Sequence, residues 1–192
     1  MGFCLAEIGF SLVVPKDPAA FSAGLPGLAT FALSFMFVSV LWWFHHKLFV
    51  TYFVLSPLTV VLNFTMLGSL ALAIYFQQAV MQIAFADLNP FVPARYWMAA
   101  LAVVYGIVCV QYVIGIRSRC ASLSERDVRW GVNRVFRTGA VTVLFATFAI
   151  ALSLFGHLRE TTYAMLGILV VLGIVRRILV PKISERLLAG RS

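Results

Sequence analysis

Long apolar runs separated by short polar segments dominate the pattern along this chain. A helix needs roughly 20 mainly apolar residues to cross a membrane. Five stretches meet or approach that length, and a sixth, at the N-terminus, is shorter and contains Glu7. The pattern therefore predicts six helical spans, at residues 1–15, 28–46, 57–78, 96–116, 138–158 and 161–180.

The third span is placed by a proline. Residues 48–86 carry no charge and are too many for one straight membrane helix. Proline is tolerated in the first turn of a helix, because its missing N–H has no helical partner there. Pro57 therefore predicts the start of this span, which we expect to run to about Gln78 and to be followed by a loop.

Composition supports the membrane interpretation. The chain is 62% hydrophobic and 11% charged, whereas soluble domains have roughly 45–50% apolar and about 25% charged residues. The net charge of +8 does not indicate nucleic acid, because the basic residues lie between apolar runs and at the C-terminus, without a soluble domain to present them. We expect an all-α polytopic membrane protein whose basic residues meet anionic lipid head groups, with no cofactor.

The basic residues also predict an orientation. Only Lys16, Arg95 and Arg159 fall on one side of the predicted spans. Twelve fall on the other: Lys47, Arg117, Arg119, Arg126, Arg129, Arg134, Arg137, Arg176, Arg177, Lys182, Arg186 and Arg191. Basic loops remain in the cytoplasm, so both termini are expected there, which requires an even number of spans. The segment 117–137 is either an interfacial amphipathic stretch leading into the fifth span or a solvated connector.

Glu7 is the first candidate for function. No G-x-S-x-G, H-E-x-x-H or helical pair of carboxylates points to an enzyme. An ionisable residue within a span usually faces a bundle interior or water, and Phe3, Glu7 and Phe10 share one helix face. In a symmetric oligomer they would form an acidic ring between two apolar rings, which attracts cations and gates by dewetting. Alternatively, Glu7 is protonated and bonded to a neighbouring helix, or lies shallow enough to reach water.

Trp42, His45 and His46 form the second candidate, at the end of the second span. The histidines fit hydrogen-bond donors, proton sensors, metal ligands or simple interfacial anchors. Adjacent helical residues point about 100° apart, so His45 and His46 do not easily bind one ion.

Small and polar residues within the spans predict helix contacts. Small side chains around Gly68 and at Ala102 and Gly106 allow helices to approach closely. Four polar residues of the third span are expected to bond to neighbouring helices: Asn63, Thr65, Gln77 and Gln78.

The second span also resembles a known family. Ala32–Phe35 reads A-L-S-F, and it is followed by Trp42 and by H-H-K-L-F at 45–49. This resembles the second helix of the transmembrane protein 175 family of potassium channels, whose bacterial members typically read Y-A-L-S-F and then W-x-x-H-H-R-L-F at this spacing. The order of the spans, their orientation and the basic fourth loop also resemble the six-helix bacterial members.

The family's first-helix motif, F-S-D, is absent here, and we expect the chain to begin just after it. Phe10-Ser11-Leu12 is not a degraded copy, because Pro15 would then leave no room for the first span. Aligned on Pro15, Phe3, Glu7 and Phe10 fall on the three apolar positions of the family's pore constriction. Phe44 stands where the family often has Asn.

The resemblance implies a passive cation channel for potassium, assembled as a homotetramer in a cell membrane, such as a bacterial inner membrane. Phe3, Glu7 and Phe10 would line the pore, and Trp42, His45 and His46 would brace the first helix. The alternatives are a proton channel acting through Glu7, or a small transporter or assembly protein that is not a channel.

Overall fold

The computed structural model describes residues 21–86, 88–154 and 158–190, and this part of the chain is helical throughout, apart from short connections. Four connections separate five long helices: α1 (Phe21–Thr51), α2 (Pro57–Phe85), α3 (Phe91–Arg119), α4 (Glu125–Leu154) and α5 (Leu158–Ala189). A short 3₁₀ turn, Cys120–Ser122, joins α3 to α4. The predicted all-α class is confirmed for these residues.

Four segments of the described residues are long and apolar enough to cross a membrane: Gly27–Thr51, Pro57–Ala84, Phe91–Ser122 and Glu125–Leu154. At 1.5 Å per residue each exceeds the hydrocarbon thickness of about 30 Å. The predicted sixth span, 161–180, lies within α5. The predicted first span, 1–15, lies outside the described residues, as do Phe3, Glu7 and Phe10.

Helix α2 begins at Pro57, as predicted, and the reason is a capping box. The Ser56 hydroxyl accepts a hydrogen bond from the Thr59 N–H at 3.2 Å, and the Thr59 hydroxyl accepts one from the Ser56 N–H at 3.0 Å. These bonds satisfy N–H groups that a helix start leaves unpaired. The helix continues to Phe85 rather than ending near Gln78, because residues 79–85 contain neither Gly nor Pro.

Helix α3 is the centre of the bundle. In its most apolar window 56% of residues are buried, against 22–28% in the other three candidate spans. Its side chains pack against α2 on one side and α4 on the other. The remaining helices expose many large apolar side chains, such as Phe35, Phe64 and Ile150. Such faces suit lipid or a neighbouring subunit.

Two glycines permit the closest helix approaches. A Cβ at Gly115 would overlap the carbonyl oxygen of Tyr52, and one at Gly131 would lie 2.9 Å from Ile116 Cδ1. Of the small residues singled out by the sequence, Gly106 does pack against α4, 3.4 Å from Thr142. A Cβ at Gly68 would meet no described atom within 4 Å, so the predicted packing at Gly68 is not found among the described residues.

Candidate functional site

Trp42 and His46 stack on one another along α1. Their ring centroids are 5.2 Å apart and the planes differ by 12°. Residues four apart lie on the same helix face, so the backbone geometry alone brings the two rings together. Both side chains are exposed, Trp42 to 51%. The pair therefore forms a flat, exposed aromatic surface on α1.

His45 points to a different neighbour. Its Nε2 donates a hydrogen bond of 2.7 Å to Oδ1 of Asn63 on α2. The His45 ring also packs against Phe49, with centroids 4.4 Å apart. The prediction that Asn63 bonds to another helix is confirmed, whereas Thr65 donates to Val61 of its own helix.

The three predicted bracing residues thus divide between two faces of α1. Trp42 and His46 share the exposed face, and His45 is committed to α2. Among the described residues no group of three or more His, Cys, Asp or Glu side chains is arranged to hold a metal ion. In this segment His45 therefore anchors α1 to α2, and Trp42 and His46 form an exposed aromatic surface.

Comparison with known families finds a similarity that includes this segment. Residues 7–73 match the family model described as endosomal/lysosomal potassium channel TMEM175. The resemblance inferred from the sequence is confirmed. The match begins at Glu7 and contains Trp42, His45, His46 and Asn63. No curated protein and no solved structure matches the chain.

The match covers about a third of the chain, and the family that it names is one of potassium channels. The four candidate spans agree with a multi-pass membrane protein.

One aromatic cluster, which joins Tyr52 of the matched range to residues beyond it, was not predicted. Three aromatic rings meet where α1 ends: Tyr52 stacks on Trp130 at 5.9 Å, and Tyr112 meets both edge-on at 5.2 and 6.0 Å. The Tyr52 hydroxyl donates to the Asp127 carbonyl at 2.7 Å, joining the chain after α1 to α4. Trp130, a lone tryptophan among arginines, was the only sequence signal for this cluster.

Cations flank the same aromatic cluster. The Arg134 guanidinium lies 4.8 Å from the Trp130 ring and 4.3 Å from the Phe44 ring. The Lys47 ammonium lies 5.6 Å from Trp130. Cation–π contacts of this kind contribute about 0.5–2 kcal/mol each. The end of α1 is therefore fixed to α4 by aromatic and cationic contacts, and the α1 residues that make them, Phe44 and Lys47, lie within the range that matches the TMEM175 model.

Electrostatics keeps Tyr52 in its neutral form. Burial raises the pKa of Tyr52 above its ordinary value, and the negative charge of Asp127 raises it further. A neutral phenol remains a hydrogen-bond donor, so the bond to the Asp127 carbonyl persists at all physiological pH values.

The basic residues gather at one end of the bundle. Arg119 donates to the Thr51 carbonyl at 3.1 Å, and Arg176 donates to the Asn133 amide oxygen at 2.9 Å. The second bond joins the N-terminal half of α4 to the C-terminal half of α5. Arg95 lies at the opposite end, beside Ser153. Arg95 is one of the three basic residues that the sequence assigns to that side of the spans.

Proposed function

We propose that this chain is the subunit of a passive cation channel that conducts potassium across a cell membrane. The observation that carries the proposal is the TMEM175 match over residues 7–73. This range contains most of the predicted pore helix, the whole of α1 and much of α2. We further propose a homotetramer with six spans per subunit, by analogy with the six-helix bacterial members of the family that the sequence resembles.

The proposed pore is lined by Phe3, Glu7 and Phe10. Their spacing sets one carboxylate ring between two phenyl rings in a symmetric assembly. A carboxylate ring concentrates cations, and phenyl constrictions exclude hydrated ions until they widen. Glu7 would raise the local potassium concentration, or titrate and make conduction depend on pH.

Helix α1 is proposed to support the pore helix. The bond from His45 to Asn63 fixes the rotation of α1 against α2. That rotation leaves the stacked Trp42 and His46 rings on the exposed face. We propose that this aromatic surface contacts the first span, in the same or a neighbouring subunit. His45 would then act on the pore indirectly, by orienting α1.

The proposed orientation places both termini in the cytoplasm. Lys47, Arg119, Arg134 and Arg176 lie at one end of the bundle. The positive-inside rule places such an end on the cytoplasmic side. An even number of spans then follows, which requires the first predicted span, 1–15, to cross the membrane.

The test is a flux assay with the purified full chain in sealed liposomes, under potassium, sodium and proton gradients in turn. The proposal predicts passive potassium flux and a tetrameric mass in mild detergent. Flux of protons alone would support the proton-channel alternative acting through Glu7. A monomeric mass together with no flux of any cation would rule out the channel.

A further inference from the structure

A cavity of about 400 Å³ opens between the basic halves of α4 and α5. Three arginines line it: Arg134 and Arg137 from α4, and Arg176 from α5. Most of the other lining residues are apolar, among them Phe136, Val141 and Leu172. The cavity is therefore amphipathic, because it combines three cationic side chains with a largely hydrocarbon lining.

The charge of this cavity is not compensated within the described structure. Arg134 lies against the neutral rings of Phe44 and Trp130, and Arg176 donates to the neutral amide of Asn133. Among the described side chains the one ion pair joins Arg129 to Glu125, neither of which lines the cavity. Three clustered cations, two of them against neutral partners, attract an anion with several acceptor oxygens.

The depth of the cavity along the bundle identifies the kind of anion. The uncharged part of α4 begins at Thr138, directly after the two α4 arginines. The arginines therefore stand where lipid head groups meet the hydrocarbon region, and the apolar wall continues along the acyl chains. Basic pockets between helices at this depth bind anionic lipid head groups. A free phosphate ion would contact the arginines and leave the apolar wall uncovered.

We propose that this cavity binds an anionic glycerophospholipid. Its phosphate is held by Arg134, Arg137 and Arg176, and one acyl chain lies along Phe136, Val141 and Leu172. The bound lipid would join α4 to α5 at the basic end of the bundle. The proposal does not depend on conduction, because it rests on residues outside the TMEM175 match.

Arg137→Gln is the charge variant that tests this site. Arg137 is exposed, and no described contact holds it in the fold, so its loss should leave the helices intact. Native mass spectrometry of the purified full chain measures bound phosphatidylglycerol against phosphatidylcholine. We expect phosphatidylglycerol to bind preferentially, and Arg137→Gln to weaken it about fivefold, which corresponds to about 1 kcal/mol per basic residue near a lipid surface. Arg126→Gln is the matched control, because Arg126 lies on the same helix outside the cavity.

Gly173→Leu tests the volume of the site without changing its charge. Gly173 lines the cavity, and a Cβ there would meet no described atom within 4 Å. Leucine also favours the helix more than glycine does, so the variant should fold. We expect it to lower phosphatidylglycerol binding at least as much as Arg137→Gln, while leaving the binding of inorganic phosphate unchanged.

Three results would overturn the proposal. The first is equal binding of phosphatidylglycerol and phosphatidylcholine by the wild-type chain. The second is phosphatidylglycerol binding that neither Arg137→Gln nor Gly173→Leu reduces. The third is normal lipid binding by Gly173→Leu together with displacement of the lipid by inorganic phosphate, which would assign the arginines to a soluble anion.

Discussion

His45 Nε2 donates a hydrogen bond of 2.7 Å to Asn63 Oδ1, joining α1 to α2 within the segment that matches the TMEM175 family. Hydrogen bonds between membrane helices contribute about 0.6 kcal/mol on average, and up to about 1.7 kcal/mol. We expect Asn63→Ala to lower the free energy of unfolding in mild detergent by an amount in this range.

The control for Asn63→Ala is Thr65→Ala, because Thr65 is exposed and bonds within α2. A double-mutant cycle with His45→Ala isolates the pair. Additive losses in that cycle would contradict a direct bond between His45 and Asn63.

Gly115→Ala tests the close approach of α3 to the end of α1. The added Cβ would overlap the Tyr52 carbonyl oxygen and lie 2.7 Å from its Cβ. Because both atoms belong to or adjoin the backbone, the helices must separate, at a cost of about 1–3 kcal/mol. Gly68→Ala is the matched control, with no described atom within 4 Å of the new Cβ. Equal melting temperatures for the two variants would contradict the close contact between Gly115 and Tyr52.

Tyr52→Phe tests the aromatic cluster and its pH dependence. Loss of the bond to the Asp127 carbonyl should cost about 1 kcal/mol, whereas Tyr75→Phe, at an exposed tyrosine, should cost little. The pKa of Tyr52 is raised in the folded chain, so the folded state holds this proton more tightly than the unfolded state. That contribution is complete below about pH 10 and is lost as the pH rises further.

We therefore expect the stability advantage of the wild-type chain over Tyr52→Phe to shrink in denaturant titrations above pH 10. An advantage that grows with pH would show that the sign of the pKa shift is wrong.

The variant Trp42→Leu tests whether the Trp42 side chain supports the proposed pore helix or only stabilises the fold. The Trp42 ring is half exposed and stacks mainly on His46, so its loss should change the subunit's melting temperature little. If the aromatic surface holds the first span, the same variant should lower potassium flux several-fold. Trp43→Leu, at a neighbouring exposed tryptophan, is the control. Unchanged flux in Trp42→Leu would remove this surface from the channel.

The features that depend on neighbouring residues could be predicted from the sequence. Pro57 marks a helix start because the capping residues Ser56 and Thr59 stand beside it. The motif around Trp42 and His45 indicated the family whose model matches residues 7–73, because it joins two signals at a fixed separation. The end of α2 was predicted near Gln78, but the helix runs to Phe85. The prediction used the length needed to cross a membrane, whereas the helix itself meets no helix-breaking residue before Asn89 and Pro90.

Contacts between distant residues could not be predicted in the same way. Tyr52 and Trp130 are far apart in the sequence, and only the folded arrangement of α1, α3 and α4 brings them to 5.9 Å. Nothing in the sequence distinguishes Gly115 from the other glycines, and only the fold shows that the Tyr52 carbonyl lies beside it. The cavity beside Arg137 likewise depends on how α5 packs against α4.

The most direct test of the proposed potassium pore is the current through the purified chain in a planar lipid bilayer, with Glu7→Gln measured alongside. We expect passive currents whose reversal potential follows the potassium gradient. We also expect Glu7→Gln to lower the conductance or remove its dependence on pH, because the ring of carboxylates then loses its charge. Absence of current, or currents whose size and pH dependence Glu7→Gln leaves unchanged, would contradict the proposed pore.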